Sequence, residues 1–191
     1  MITILCGKSG CGKDTILKQL IKDNIAVPII STTSRPMREK EKQNREYHFV
    51  SKETFLKMVE NHQFLEYRTY QTNMYGRKNT WYYGSPIVDP NAANYAVVLD
   101  INGARSYLRH YGKENCIVIM LCVPDEIRES RARRRGSFDQ TEWDRRREDD
   151  AVKFSDTATN GIVDIIIDNN RPLQDVYTDI KRHILSKIEQ R

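Results

Sequence analysis

The stretch Ile2-Thr3-Ile4-Leu5-Cys6-Gly7-Lys8-Ser9-Gly10-Cys11-Gly12-Lys13-Asp14-Thr15-Ile16-Leu17 decides the fold. Its apolar run Ile2–Cys6 reads as a core strand. A glycine-rich loop follows and opens directly into a helical pattern, with Ile16, Leu17, Leu20 and Ile21 on one face. Strand, loop and helix in this order are what a phosphate cradle requires. Glycines let backbone N–H groups converge on phosphate oxygens, the helix N-terminus adds positive potential, and Lys13 reaches the β- and γ-phosphates. Gly7, Lys8, Ser9, Gly10, Cys11, Gly12 and Lys13 are therefore expected to hold a nucleoside triphosphate. Asp14 stands where such a loop ordinarily offers a Ser or Thr hydroxyl to Mg²⁺. Two roles are open to it: metal ligation through a hard carboxylate oxygen, or a partner for the helix dipole, with the metal left to Thr15 or water.

Outward from this stretch, apolar runs alternate with helical patterns, which predicts an α/β fold with a central parallel sheet flanked by helices. Strands are expected at Val27–Ser31, Tyr47–Val50, Phe64–Tyr67, Ala96–Asp100, Ile117–Cys122 and Ile162–Ile167. Thr32–Glu46 reads as an extended surface loop and Gln71–Tyr82 as a flexible hairpin or loop. Ser51 is expected to cap a helix bearing Phe55, Met58 and Val59. Pro124–Arg135 and Thr141–Lys153 read as helices about the turn Gly136-Ser137. A final helix starts at Pro172, with Val176, Ile180, Ile184, Leu185 and Ile188 as its apolar stripe. Asp100 sits where parallel sheets place functional groups, at the carboxyl end of a strand. It suits either Mg²⁺ held through water or the N-cap of the next helix.

At 191 residues the chain is expected to be one domain. No apolar run approaches the ~20 residues of a membrane span, and the immediate core strand leaves no room for a signal peptide. Cys6, Cys116 and Cys122 lie in or beside apolar runs, suiting reduced core cysteines and a cytoplasmic location. The net charge of +5 comes with arginine clusters at 128–135 and 145–147. These suit a solvated face or cations aimed at a triphosphate better than nucleic acid, for which no reader motif is present.

Ser31-Thr32-Thr33-Ser34-Arg35-Pro36-Met37-Arg38, Arg45-Glu46-Tyr47-His48-Phe49-Val50, Phe64-Leu65-Glu66-Tyr67 and Tyr83-Gly84-Ser85 follow the loop in order. With these motifs the chain resembles the guanylate kinase family over nearly its full length. The resemblance implies a P-loop NTPase core (1–32, 86–125 and 151–191), an inserted GMP-binding region (33–85) and a helical lid (126–150). It implies direct phosphoryl transfer from ATP, with Mg²⁺, to GMP or dGMP. Arg35, Arg38, Tyr47 and Tyr83 would grip the GMP phosphate, while Glu66, Ser31 and Ser85 read guanine and Asp100 contacts the acceptor. Arg131, Arg135 and Arg146 match the lid arginines, Arg131 on ATP and the other two, with Lys13 and Arg38, on the transferring group. The partners implied are ATP and GMP, with a monomer or homodimer as the assembly.

Physical chemistry supports the carry-over. Arginine forks suit a phosphate monoester. Guanine offers N1–H and a 2-amino group side by side to one carboxylate, whereas adenine faces Glu66 with an acceptor. The chain departs from the family at Asp14, in the longer segment between Glu66 and Tyr83, and in the shortened stretch Leu99–Ala104, which offers Asn102 or a gap where the family carries a second Asp. Tyr75-Gly76 competes in register with Tyr83-Gly84, and Ser85 favours the latter. Two other readings stand beside guanylate kinase: a kinase for another or modified nucleoside monophosphate, and a non-catalytic guanylate kinase-like binding module. The latter typically lacks the phosphate-binding lysine.

Overall fold

The computed structural model describes residues 1–39, 41–74, 77–134 and 138–190. In chain order its elements begin with β1 (Ile2–Cys6), α1 (Lys13–Lys22), β2 (Val27–Pro28), β3 (Thr32–Thr33) and β4 (His48–Phe49). There follow α2 (Lys52–Glu60), β5 (Glu66–Met74), β6 (Arg77–Ser85), β7 (Tyr95–Val98), α3 (Ile101–Tyr111) and β8 (Cys116–Cys122). The chain closes with α4 (Asp125–Arg133), α5 (Gln140–Lys153), α6 (Asp156–Thr159), β9 (Ile165–Asp168) and α7 (Leu173–Glu189). Two compact units emerge: residues 1–28 with 90–191, and residues 29–89. The segment 126–150, expected as a lid, belongs to the first.

In the first unit, among the described residues, a parallel sheet runs β2-β7-β1-β8-β9. Its central strands are buried on both faces, which is why they read as continuous apolar runs. Alternation assigns the faces. Met1, Leu5, Ile117, Ile119 and Leu121 join Ile16 and Leu20 of α1 and Val176, Ile180 and Ile184 of α7 in one cluster. On the opposite side, α3 buries Ile101, Ala104, Tyr107 and Tyr111.

The second unit has a mixed sheet ordered β4-β3-β6-β5. Phe55 of α2 stacks on Phe64 at 4.7 Å and lies 5.5 Å from Tyr82, so α2 covers one face of the hairpin. The Ser51 cap is present, its hydroxyl accepting from the Thr54 amide at 3.1 Å.

Several expectations need correction. Val27–Ser31 is not one strand: β2 ends at Pro28, which has no N–H for the ladder and sits at the sheet edge. Thr32–Thr33 is a buried strand and Arg35 is buried, so Thr32–Glu46 is not surface loop throughout. Of the hairpin or loop expected at Gln71–Tyr82, the described residues form the hairpin, as the strands β5 and β6 paired from Glu66↔Ser85 to Met74↔Arg77. Its polar cross-strand pairs, such as Thr80 to Gln71 at 3.1 Å, hide it from a hydrophobic-period reading. Ile162 and Val163 are not strand, because their amides bond back to the Thr159 carbonyl after α6. Leu185 and Cys122 are exposed rather than core. Burial pushes the Cys6 and Cys116 thiols up to about 12, which leaves them protonated and inert. Among the described residues no helix is long and apolar enough to cross a membrane. The turn Gly136-Ser137 lies outside the described residues.

Candidate active site

The phosphate loop occupies the carboxyl end of β1. Gly12 is the N-cap of α1 at φ 95, and Gly10 has φ 83. A Cβ on Gly10 would meet the Arg128 carbonyl at 2.8 Å, and one on Gly12 the Asn169 amide at 2.5 Å, so both conformation and space demand glycine. The Lys13 ammonium lies over the loop, donating to the Gly7 carbonyl at 2.7 Å and the Lys8 carbonyl at 3.1 Å. The first amides of α1 lack intrahelical acceptors, so the loop concentrates donors and a cation at one point. Asp14, in the first turn, and Thr15 are both exposed.

Contacts that sequence reasoning missed hold this loop. Asn169, just after β9, donates to the Cys11 carbonyl at 2.6 Å. Arg128 of α4 is 1% exposed and donates to the Ser9 carbonyl at 2.8 Å. Asp150 of α5 accepts from the Ser9 amide at 2.6 Å. Asn169 was findable, since it follows the carboxyl end of a strand as Asp100 does. Arg128 was not, being one of a run of arginines with no local mark of burial.

Asp100 caps α3, one oxygen accepting from the Gly103 amide at 2.9 Å, while the other lies 3.8 Å from the Lys153 ammonium. Arg131 donates to the Asn169 carbonyl at 3.0 Å. It lines an open cleft of about 370 Å³ with Gly12, Thr15, Arg134, Asn169 and Arg171. Arg146 and Arg145 both bind Glu142, at 2.7 and 2.9 Å. Burial pushes the Glu142 carboxyl up, but the two guanidinium hydrogen bonds prevail and hold it below the usual range. Arg135 lies outside the described residues.

In the second unit, alternation along the hairpin gathers Glu66, Arg68 and Tyr70 of β5 with Tyr83 and Ser85 of β6 on the face opposite α2. Ser85 donates to one Glu66 oxygen at 2.9 Å and Arg68 to the other at 2.8 Å. Ser31 lies 3.2 Å from the Ser85 hydroxyl. Tyr47 and Tyr83 meet edge to face at 5.8 Å, and the Arg35 guanidinium lies 5.5 Å from the Tyr47 ring. Arg35 is 4% exposed and forked onto Glu41 at 2.8 and 2.9 Å, while Arg38 is exposed and gives its backbone amide to the same carboxylate. Burial raises the Glu41 carboxyl, but the Arg35 and Arg38 contacts outweigh it and hold the group below the ordinary range. Ser31, Glu66 and Ser85 thus form one connected chain, and Arg35, Tyr47 and Tyr83 a second cluster. Glu41 and Arg68 were not anticipated. Tyr75 and Gly76, the competing register, lie outside the described residues.

A model of the guanylate kinase family matches residues 1–187. The chain belongs to the guanylate kinase family. It is 51% identical to guanylate kinase of Helicobacter hepaticus over 76 residues, 39% of this chain and 38% of that protein. To guanylate kinase of Thermotoga maritima it is 33% identical over 63% of this chain and 56% of that protein. These two alignments therefore span about half or less of the relatives' length. With guanylate kinase of Mycoplasmoides gallisepticum the identity is 32% over 97% of this chain and 92% of the relative. A crystal structure of guanylate kinase from Anaplasma phagocytophilum superposes with a TM-score of 0.69 at 21% identity, covering 98% of this chain and 85% of that one. That likeness supports the α/β P-loop NTPase fold, which the parallel sheet and flanking helices display.

Proposed function

We propose that the protein phosphorylates GMP or dGMP with ATP by direct in-line transfer, giving ADP and GDP or dGDP. The observation that carries this reading is the Glu66–Ser85–Ser31 chain on the same hairpin face as Tyr83. A carboxylate flanked by hydroxyls suits the donor edge of guanine, and the Arg35–Tyr47–Tyr83 cluster, with Arg38, suits its phosphate. Gly7–Lys13 and Thr15 cradle the ATP phosphates, Lys13 following the migrating charge. The cleft at Arg131 takes the rest of the donor. The segment 126–150 serves as the lid, from which Arg135 and Arg146 reach the transferring group. No covalent intermediate is needed, because catalysis is alignment plus electrostatic stabilisation. Closure must exclude water, or ATP would be hydrolysed.

Guanylate kinases are kinases that generally use ATP with Mg²⁺. Among the described residues no cluster of three His, Cys, Asp or Glu could hold a metal. A nucleotide-borne Mg²⁺ needs only one or two carboxylates beside phosphates and water. Asp14, exposed and adjacent to Lys13, fits that need directly. Asp100, which caps α3 and lies 3.8 Å from the Lys153 ammonium, would meet the ion only through water. The ion, when bound, neutralises charge on the β- and γ-phosphates. The partners are ATP and GMP, and the location that suits them is the cytoplasm. The comparisons favour neither alternative, the other-monophosphate kinase or the non-catalytic module.

A coupled ADP assay across GMP, dGMP, AMP, CMP and UMP tests the reading. Turnover selective for guanine is expected, together with a folded but inactive Lys13→Ala variant. Equal use of all monophosphates, or full activity without Lys13, would overturn it.

A further inference from the structure

Ser9 is held at both of its main-chain polar groups by a buried ion pair. Its amide donates to Asp150 at 2.6 Å and its carbonyl accepts from Arg128 at 2.8 Å. Arg128 and Asp150 are themselves 3.5 Å apart and are 1% and 8% exposed. Arg128 also donates to Asp125 at 2.7 Å, and its guanidinium sits 5.6 Å from the Trp143 ring of α5. The α4 backbone adds contact, since the Arg128 carbonyl lies against Gly10. Two side chains from two helices thus hold the two peptide groups that flank the Ser9 Cα.

Burying a charged pair is costly, and solvent-facing helices need no such pair. Its geometry gives it another use. The Ser9 N–H belongs to the Lys8–Ser9 peptide and the Ser9 carbonyl to the Ser9–Gly10 peptide, so holding both fixes two successive peptide planes of the loop before any phosphate arrives. Ser9 spends its N–H on Asp150, which keeps that donor turned towards the helices. The Lys8 carbonyl, one of the two that hold Lys13, is the other half of that same Ser9 peptide linkage. We propose that Arg128 and Asp150 are positioning residues for the donor phosphates, preorganising the loop through Ser9 and tying it to α4 and α5. This inference rests on the loop being the ATP site.

The test measures binding of the non-hydrolysable analogue AMP-PNP with Mg²⁺, and separately of GMP, by calorimetry on the intact protein. The double variant Arg128→Met with Asp150→Leu removes both charges at once. It is expected to bind AMP-PNP about tenfold more weakly, the scale of unsatisfied buried polar groups. GMP affinity should stay within about twofold, since the residues assigned to guanine and its phosphate belong to the other unit. Arg128→Lys, which keeps the charge and one donor for Ser9, should recover most of the loss. A purely structural pair would lower the unfolding midpoint and leave the nucleotide affinity of the folded protein unchanged, which would overturn the proposal. If the double variant does not fold, Asp150→Asn decides: weakened AMP-PNP binding with unchanged GMP binding supports the clamp, and wild-type AMP-PNP affinity refutes it. Wild-type protein that binds AMP-PNP but never phosphorylates GMP would defeat the functional reading while leaving the clamp to this measurement.

Discussion

Glu66 accepts from Ser85 and Arg68 at once, so its carboxylate is held in one orientation, as the proposed guanine contact needs. Replacing it with Gln keeps the shape but swaps one acceptor for a donor facing guanine's own donors. Each charge-assisted hydrogen bond lost costs about 1.5–3 kcal/mol, so kcat/KM for GMP should drop about tenfold to a hundredfold. A coupled assay with GMP and AMP checks this, and an unchanged GMP/AMP ratio would contradict it. Glu41 carries a pH prediction. Its carboxyl is held below the ordinary value of about 4.3. Its contribution is therefore complete above that pH and disappears as pH falls through the lower folded value. Chemical denaturation from pH 6 to pH 3 should show a shallower acid slope for Glu41→Gln than for wild type, and parallel curves would count against the Arg35–Glu41 pair.

At the scale of elements, α3 and α4 illustrate two ways of fixing a helix to a site. Asp100 caps α3, so Asp100→Ala should cost about 1 kcal/mol while Asp100→Asn, an equal cap, costs a few tenths. If Asp100 also serves the substrates, Asp100→Asn should lose turnover at unchanged urea midpoint, whereas wild-type turnover would reduce the residue to its cap. Helix α4 offers little apolar surface, and its anchor is Arg128. Removing only that guanidinium, as in Arg128→Leu, strands Asp150 and should destabilise by about 3–5 kcal/mol. A double-mutant cycle with Asp150→Leu, read by urea denaturation, should show much of that loss recovered. The β1–loop–α1 unit was legible because its period and glycines have one physical meaning. The long hairpin was legible only as a hairpin or loop because polar pairs such as Thr80 and Gln71 break its apolar period, and Arg128 was hidden because a buried arginine and a solvated one look alike in a charged run. Val27–Ser31 misled through its apolar character, which Pro28 overrides at the edge.

For the molecule as a whole, membership of the guanylate kinase family joins a phosphate loop in one unit with a carboxylate-and-hydroxyl site in the other. The sheet order was readable only as a class, since apolar runs reveal burial and not which strands become neighbours. The residues proposed for the acceptor, Ser31, Arg35, Tyr47, Glu66, Tyr83 and Ser85, were readable as a pattern, whereas Glu41 and Arg68, which hold Arg35 and Glu66, emerge only from tertiary contact. The central claim is transfer of a phosphoryl group from ATP to GMP without passage through the protein or water. Single-turnover reaction with γ-labelled ATP and excess GMP tests it most directly. The account predicts label in GDP alone, in step with ADP. Label in inorganic phosphate or on the protein, with none in GDP, would contradict it.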